Sequence, residues 1–215
     1  AITEIFPDYG EKIRHIAHGM MRFASGKMSS RKGNVVTGES LIENVEELVR
    51  ERMKETRAED PKLATAVAVG AIKYTILRQS AGKDIVFDPE KAISLEGDSG
   101  PYLMYAHARA SSVLEKALKE KSKGKVSDAP AEPYLLERLL YRFPEVVERA
   151  AQEYEPHYVT TFLTELAGAF NSFYATERIA DAKEFAAYKV ALTSAVRNTL
   201  QKGLWLLGIE APERM

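Results

Sequence analysis

A glycine-bracketed basic segment at residues 25–34, SGKMSSRKGN, carries residue types that handle phosphate. Three cations and two hydroxyls stand between Gly26 and Gly33. Such a segment can close over a triphosphate and stabilise the charge that develops on it during reaction. It is not a P-loop, because that motif needs a glycine where Met21 stands and a serine or threonine where Met28 stands. On the residues alone, a solvated basic turn is the alternative.

A second group of candidate residues falls on one stripe of a predicted helix: Tyr102, Tyr105 and Arg109. This spacing is also typical of a core stripe, in which such side chains pack or pair inside the protein. Other aromatic and aliphatic residues at helical spacing are predicted to be core: Phe162, Leu166, Phe170 and Phe173.

The metal-binding residue types predict no metal site. The chain has no cysteine, which excludes disulfides, thiolate chemistry and cysteine-based zinc sites. His15 and His18 form a pair without a third ligand, and we interpret them as residues of a strand or loop. For His107 and His157 we expect core or capping roles.

Composition and charge narrow the class of protein. Apolar residues make up 45% of the 215, enough for a core, and the formal net charge is -1, which argues mildly against nucleic acid as a partner. The charge is unevenly distributed, since residues 20–34 hold four cations and no acid and residues 119–125 hold four lysines and one glutamate. Basic segments on a near-neutral chain suit a ligand that touches part of the surface. No apolar run approaches the roughly 18 residues that span a membrane, and we expect a cytoplasmic monomer.

Helical periodicity begins near residue 40, where Ser40 and Glu43 form a predicted capping box. Asp60-Pro61 starts a second helix that is apolar nearly all round. Ser99-Gly100-Pro101 opens a third helix, which is expected to end near residue 119. The remaining predictions are short strands or loops before residue 36, an extended connection at 83–89, a loop at 121–133, helices at 134–142, 144–154, 157–178 and 184–207, and a C-cap at Gly208.

Four blocks of the sequence resemble the arginyl-tRNA synthetase family of class I aminoacyl-tRNA synthetases. Residues 26–34, GKMSSRKGN, are similar to the form of the KMSKS signature found in that family. Residues 97–109, GDSGPYLMYAHAR, resemble the segment that opens its anticodon-binding domain. The last two helices and tail of that domain are similar to residues 171–174 (NSFY) and to residues 195–215, which run from AVR to GLWLLGIEAPERM. The blocks stand in the family's order and cover nearly the whole chain.

The resemblance implies a mainly α fold in three parts. Residues 1–36 would be the end of a Rossmann catalytic domain with the KMSKS-like loop, 37–96 a helical connector that contacts the tRNA stem, and 97–215 an α-helical anticodon-binding bundle. The family's HIGH motif should lie far upstream. The segment HIAH that begins at His15 is not that motif, because it ends nine residues before Lys27 and follows no strand-then-helix pattern. We therefore expect a fragment that is catalytically inactive by itself.

By the same resemblance, the parent enzyme activates arginine with ATP, in the presence of Mg, and transfers it to tRNA(Arg). No cofactor is expected to be bound structurally. The second lysine of KMSKS is replaced by Ser30, so a phosphate contact must come from Arg31 or Lys32. The implied catalytic residues are Lys27, Ser29, Ser30 and Arg31, and those implied in ATP binding are Lys27, Met28 and Lys32.

The resemblance also assigns the anticodon-binding residues, which would be Tyr102, Tyr105, Arg109 and Met215. Met215 is expected to reach the RNA because the family's tail folds back toward the anticodon loop. A different class of function remains as the alternative, a non-catalytic helical module that binds RNA or protein. That alternative predicts no role for Lys27.

Overall fold

The computed structural model describes residues 2–10, 12–24, 37–56, 60–127, 129–179 and 185–215. Within these ranges the chain is mainly α-helical, as predicted, with one small parallel sheet. The elements in chain order are α1 (Ile2–Ile5), α2 (Pro7–Gly10), β1 (Met21–Phe23), α3 (Gly38–Thr56), α4 (Pro61–Leu77), β2 (Ile85–Phe87), α5 (Pro89–Ala92), α6 (Gly100–Lys119), α7 (Leu135–Glu153), α8 (His157–Thr176) and α9 (Ala186–Leu206). No helix in these ranges is both long and apolar enough to cross a membrane.

The sheet pairs β1 with β2 in parallel, with Met21 opposite Ile85 and Phe23 opposite Phe87. An ion pair between Arg22 and Asp84 and an edge-to-face contact between Phe23 and Phe87, with ring centroids 5.8 Å apart, support this pairing. Parallel strands need a long crossover, which α3 and α4 supply. The extended connection predicted at residues 83–89 contains β2, whereas the short helices α1 and α2 were not predicted.

Helix α3 begins earlier than its sequence signal indicated. The Thr37 side chain accepts a hydrogen bond from the Ser40 backbone N–H at 3.1 Å, so Thr37 is the capping residue and Ser40 already lies in the first turn. The predicted capping box at Ser40 and Glu43 was therefore wrong, because Thr37 offers the same cap chemistry one turn earlier. Helix α4 begins as predicted, since Asp60 accepts from the N–H groups of Lys62 and Leu63.

Two glycines let α4 and α6 approach each other closely. A Cβ atom on Gly100 would lie 2.4 Å from the carbonyl oxygen of Gly70, and one on Gly70 would lie 2.8 Å from the sulfur of Met104. Only glycine fits such a backbone-to-backbone crossing. The crossing joins the helices before residue 97 to the bundle after it in one hydrophobic core.

The bundle consists of α6, α7, α8 and α9, and the residues predicted to be core are buried in it: Phe162, Leu166, Phe170 and Phe173. Helix α7 is a correction, because it runs unbroken where two helices were predicted and contains Pro144. Proline removes one helical hydrogen bond. Here it lies on the exposed side of α7, and buried Leu139 and Ala150 hold the helix to the bundle on either side of it.

Candidate nucleic-acid interface

The candidate loop at residues 25–34 falls within residues 25–36, which lie outside the described residues. Its candidate site residues are therefore not described: Lys27, Met28, Ser29, Ser30, Arg31 and Lys32. The structure does describe the chain on both sides of this loop. The Ala24 N–H donates to the Phe87 carbonyl at 3.0 Å, so the β1–β2 pairing extends to the start of the loop. Thr37 caps α3 immediately after it.

The second candidate group is positioned by the first turns of α6. The Ser99 side chain accepts from the Tyr102 N–H at 3.1 Å, and Pro101 stands in the first turn, where no N–H is required. Tyr105 and Arg109, one turn apart, are half-buried and face the same side of the helix.

Arg109 is held between two aromatic rings. Its guanidinium carbon lies 4.6 Å from the ring centre of Tyr105 and 5.2 Å from that of Tyr174 on α8. Its Nη1 donates to the Asn171 side-chain oxygen at 2.7 Å. A flat cation between aromatic faces is stabilised by their negative quadrupoles, and its orientation is fixed. Tyr174 remains 46% exposed, so it stays open to a ligand.

Tyr102 has a different position from the one the helical stripe indicated. Its hydroxyl accepts a hydrogen bond from the Asn171 side-chain nitrogen at 3.0 Å, and Asn171 in turn accepts from Arg109. Tyr102 therefore lies behind Arg109, against α8, and does not line the concave surface that Tyr105 and Arg109 share. The Tyr102 side chain supports Arg109 through Asn171 and does not face the open side of the concave surface.

That concave surface, which we call the groove, has a volume of about 930 Å³. Met215 closes one side of it and the end of α8 closes another. Three of the four predicted anticodon residues, Tyr105, Arg109 and Met215, thus come together. The lining residues are Tyr105, Ala108, Arg109, Ser112, Val113, Lys116, Glu120, Tyr174, Glu177, Arg178, Ile179, Arg214 and Met215.

Cations outnumber acids among the residues that line the groove. Besides Arg109 they are Lys116, Arg178 and Arg214, against the carboxylates of Glu120 and Glu177. Glu177 is engaged with Lys189 at 2.6 Å, which withdraws part of its negative charge from the groove. The Lys116–Glu120 pair is long, at 3.9 Å, and exposed. Exposed pairs of this kind are weak and can be exchanged for a phosphate contact.

The segment that delivers Met215 lies across α6. His107, fully buried on α6, donates through Nδ1 to the Pro212 carbonyl at 2.8 Å. Burial lowers the pKa of His107, so its ring is held neutral. Arg197 on α9 pairs with Glu213, and burial of the Glu213 carboxyl is outweighed by hydrogen bonds from Ser111 and Arg197 that keep its pKa below the usual value.

Two of the histidines each lie within hydrogen-bonding distance of an oxygen atom close to them in the sequence. His18 Nδ1 lies 3.0 Å from the adjacent Gly19 carbonyl oxygen, and His157 Nδ1 lies 2.9 Å from a Glu155 carboxylate oxygen. In the part of the chain that the structure describes, no three His, Asp or Glu side chains are grouped as a metal site would require.

The sequence did not reveal that the end of α8 and the last residues of the chain line the groove. Asn171 and Tyr174 were noted only as part of a family-like block, and Arg178 and Arg214 were not singled out. The available signal was the three-residue spacing of Asn171 and Tyr174, which places a polar and an aromatic group on one face of the end of α8.

The chain is similar to known proteins over nearly its whole length. Residues 103–215 match the family model of the DALR anticodon binding domain, and residues 2–89 match that of the class I (R) tRNA synthetase catalytic domain. The arginine–tRNA ligase of Pyrococcus abyssi is 38% identical over 98% of this chain and 36% of its own length. That of Streptococcus pneumoniae strain Hungary19A-6 is 36% identical over 100% of this chain and 39% of its own length.

Solved structures give the same result for the fold. Thermus thermophilus arginyl-tRNA synthetase superposes with a TM-score of 0.85 and 32% identity, over 98% of this chain and 37% of that one. The Plasmodium falciparum arginyl-tRNA synthetase shares the fold, with a TM-score of 0.76 at 20% identity over 99% of this chain and 39% of that one. The chain spans little more than a third of the length of the relatives it matches. It belongs to the DALR anticodon binding domain family, in the form in which arginyl-tRNA synthetases join that domain to a class I catalytic domain.

Proposed function

We propose that the groove binds the anticodon loop of tRNA(Arg), and that this chain is the tRNA-reading part of an arginine–tRNA ligase. The observation that carries the proposal is Arg109, fixed between Tyr105 and Tyr174 on the wall of a groove that Met215 closes. Anticodon bases can be splayed out of their stack and placed on aromatic and guanidinium faces. The groove offers both kinds of face next to cations for the backbone.

The chemistry of the lining fits a single-stranded loop better than a protein partner. Lysine is depleted from protein interfaces, and the core of such an interface carries little charge, whereas Lys116 and Arg214 line the groove together with Arg109. The Arg109 guanidinium lies within hydrogen-bonding distance of one described acceptor, Asn171, so its outer N–H groups can reach a phosphate or a base edge. One copy of the chain supplies all the described lining, and we propose that it acts as a monomer.

For the rest of the enzyme we propose the roles that the sequence suggests. Residues 1–36 contribute to the catalytic domain, 37–96 contact the tRNA stem, and 97–215 read the anticodon. Lys27 stabilises charge on the departing pyrophosphate of ATP, Ser29 and Ser30 donate hydrogen bonds, and Arg31 contributes to the same charge stabilisation. Met28 and Lys32 contact the nucleotide, which enters with Mg. Support comes from the match of residues 2–89 to the class I (R) catalytic domain. This chain alone is proposed to form no arginyl-adenylate.

A titration of two anticodon stem-loops tests the anticodon proposal. One carries the arginine anticodon and the other a substituted middle base, and each is titrated against this chain and two variants. Tyr105→Ala removes one wall of the groove and should weaken binding about tenfold or more, since a stacked aromatic contributes about 1–3 kcal/mol. Tyr141→Ala is the matched control, because Tyr141 is 88% exposed on α7 and does not line the groove.

Thermal melts of the free proteins separate a contact from a folding effect. A Tyr105 variant that melts like the wild type but binds weakly supports the groove as the site. Equal affinity for both stem-loops, or a loss of binding that follows the melting temperature, would leave the bundle as a scaffold and refute the proposal.

A further inference from the structure

The strap, residues 209–215, contacts α6 at regular intervals. His107, Ser111 and Glu115 are spaced by four residues and lie along one stripe of the helix. His107 donates to the Pro212 carbonyl. Glu213 is linked to Ser111 through Arg197, which pairs with Glu213 and donates to the Ser111 hydroxyl at 3.0 Å, and Glu115 accepts from Arg214 at 3.2 Å. Three consecutive strap residues thus meet three successive turns of α6, and the next residue, Met215, lines the groove.

The contacts of the strap become more exposed toward the groove. Ile209 is buried beside Gly70, and His107 is fully buried. The Arg197 side chain, which pairs with Glu213, is 25% exposed, and the Arg214 side chain is 81% exposed. Exposed ion pairs contribute little, so the buried hydrogen bond from His107 is the firmest attachment near Met215.

If the position of His107 only had to be filled, a buried apolar side chain would give a more stable core than histidine. Its Nδ1 must carry the proton to donate to a carbonyl, which leaves Nε2 as a bare acceptor. Among the described residues, that Nε2 is the one buried side-chain nitrogen or oxygen without a hydrogen-bond partner. An unsatisfied buried nitrogen destabilises a core, and an apolar side chain would avoid it. The hydrogen bond to Pro212 is what a histidine adds here.

We propose that His107 is a positioning residue for RNA binding: its hydrogen bond to Pro212 holds the strap across α6 and thereby sets Met215 in the groove. This inference rests on the proposed function, because it assigns His107 an effect on the affinity of the groove for the anticodon loop. His107 itself is not among the residues that line the groove.

Methyl NMR of the 215-residue chain tests the attachment without RNA. The chain has six methionines, and the ε-methyl group of Met215 reports the position of the strap. His107→Phe keeps a planar ring but removes the donor, so the Met215 signal should narrow and move toward the position of an unstructured methionine. His107→Asn keeps an N–H donor at the place of Nδ1 and should restore the wild-type signal. The fully buried Met104 provides the internal reference for an intact core.

Stem-loop affinity tests the functional consequence. His107→Phe should weaken binding of the arginine anticodon stem-loop about tenfold, and a chain shortened after Pro212 should show a loss of similar size. The two changes together should cost no more than the shortening alone, because they act through the same segment. If the Phe variant loses the Met104 signal, His107→Leu replaces it in both measurements.

The outcomes separate the two proposals. An unmoved Met215 signal in a folded Phe or Leu variant overturns the inference, and so does a released Met215 with unchanged affinity. Additive losses in the combined variant would also overturn it, because His107 would then act by another route. If the wild-type chain fails to bind the stem-loop, the proposed function is lost, while the methyl signals still decide whether His107 holds the strap.

Discussion

Replacing Tyr102 by phenylalanine removes one hydroxyl and tests whether this side chain supports Arg109 or touches RNA. The hydroxyl accepts from Asn171 at 3.0 Å, and Asn171 accepts from Arg109 at 2.7 Å. A neutral hydrogen bond contributes about 0.5–1.5 kcal/mol to the free energy of unfolding. Because Tyr102 and Asn171 are half-buried, water recovers part of it. We expect a loss of about 0.5–1 kcal/mol, which lowers the Tm by roughly 1–4 °C in a chain of this size.

Asn171→Ala removes both hydrogen bonds and should have the larger effect on RNA. Without Asn171, the Arg109 guanidinium keeps its two aromatic neighbours but loses the acceptor that fixes its rotation between them. We expect a loss of about 1–2 kcal/mol in the free energy of RNA binding, or roughly five- to thirtyfold in Kd. Tyr102→Phe should weaken the same binding by about 0.5–1 kcal/mol, or roughly two- to fivefold.

A double-mutant cycle on stem-loop affinity separates the two roles of Tyr102. If Tyr102 acts through Asn171, Tyr102→Phe has no further effect in the Asn171→Ala background, and the coupling energy equals the whole Tyr102 effect, about 0.5–1 kcal/mol. Fluorescence titration of the four proteins at one salt concentration measures it, with Tyr141→Phe as the control. Losses that add to within about 0.3 kcal/mol would refute the support role and return Tyr102 to the RNA surface.

Two further predictions concern the frame of the bundle and the loop after β1. Gly100→Ala should lower the Tm by roughly 2–12 °C in calorimetry, because its Cβ would lie 2.4 Å from the Gly70 carbonyl oxygen and overpacking costs about 1–3 kcal/mol. Gly38→Ala should change the Tm little, because its Cβ would meet no atom of another part of the chain within 4 Å. Equal shifts for the two variants would contradict the close crossing. In an arginine–tRNA ligase of full length that contains this sequence, Lys27→Ala should lower kcat of aminoacylation by about a hundredfold with arginine KM unchanged, and the reverse pattern would exclude a transition-state role.

Most of the fold was predictable from the residues that begin and end the helices. Asp60 caps α4, Ser99 caps α6, and Gly208 takes a positive φ of 65° just past α9, as predicted. Each is a local feature, decided by side-chain oxygens or by glycine within one turn. The wrong predictions also arose locally. The effect of Pro144 was outweighed by core packing on both sides, and Ser40 was preceded by Thr37, an equally good cap.

The groove was only partly predictable, because its walls are distant in sequence. Helical spacing placed Tyr102, Tyr105 and Arg109 on one stripe but could not say which of them faces α8. That choice depends on how α8 packs on α6, which brings Asn171 within hydrogen-bonding distance of residues more than sixty positions away. The same limit applies to the strap, since His107 and Pro212 are 105 residues apart and no sequence period connects them.

The groove and the loop after β1 are connected by packed elements rather than by a linker. Strand β1 pairs with β2, α4 precedes β2, and α4 crosses α6 through Gly70 and Gly100. A partly buried polar contact adds to this crossing, because the Tyr74 hydroxyl donates to Asp98 and lies 2.7 Å from the Thr164 hydroxyl on α8. Burial raises the pKa of Tyr74, so this hydroxyl keeps its proton. Changes confined to the groove lining leave these contacts intact, and they should therefore alter RNA affinity without moving the frame that carries the loop.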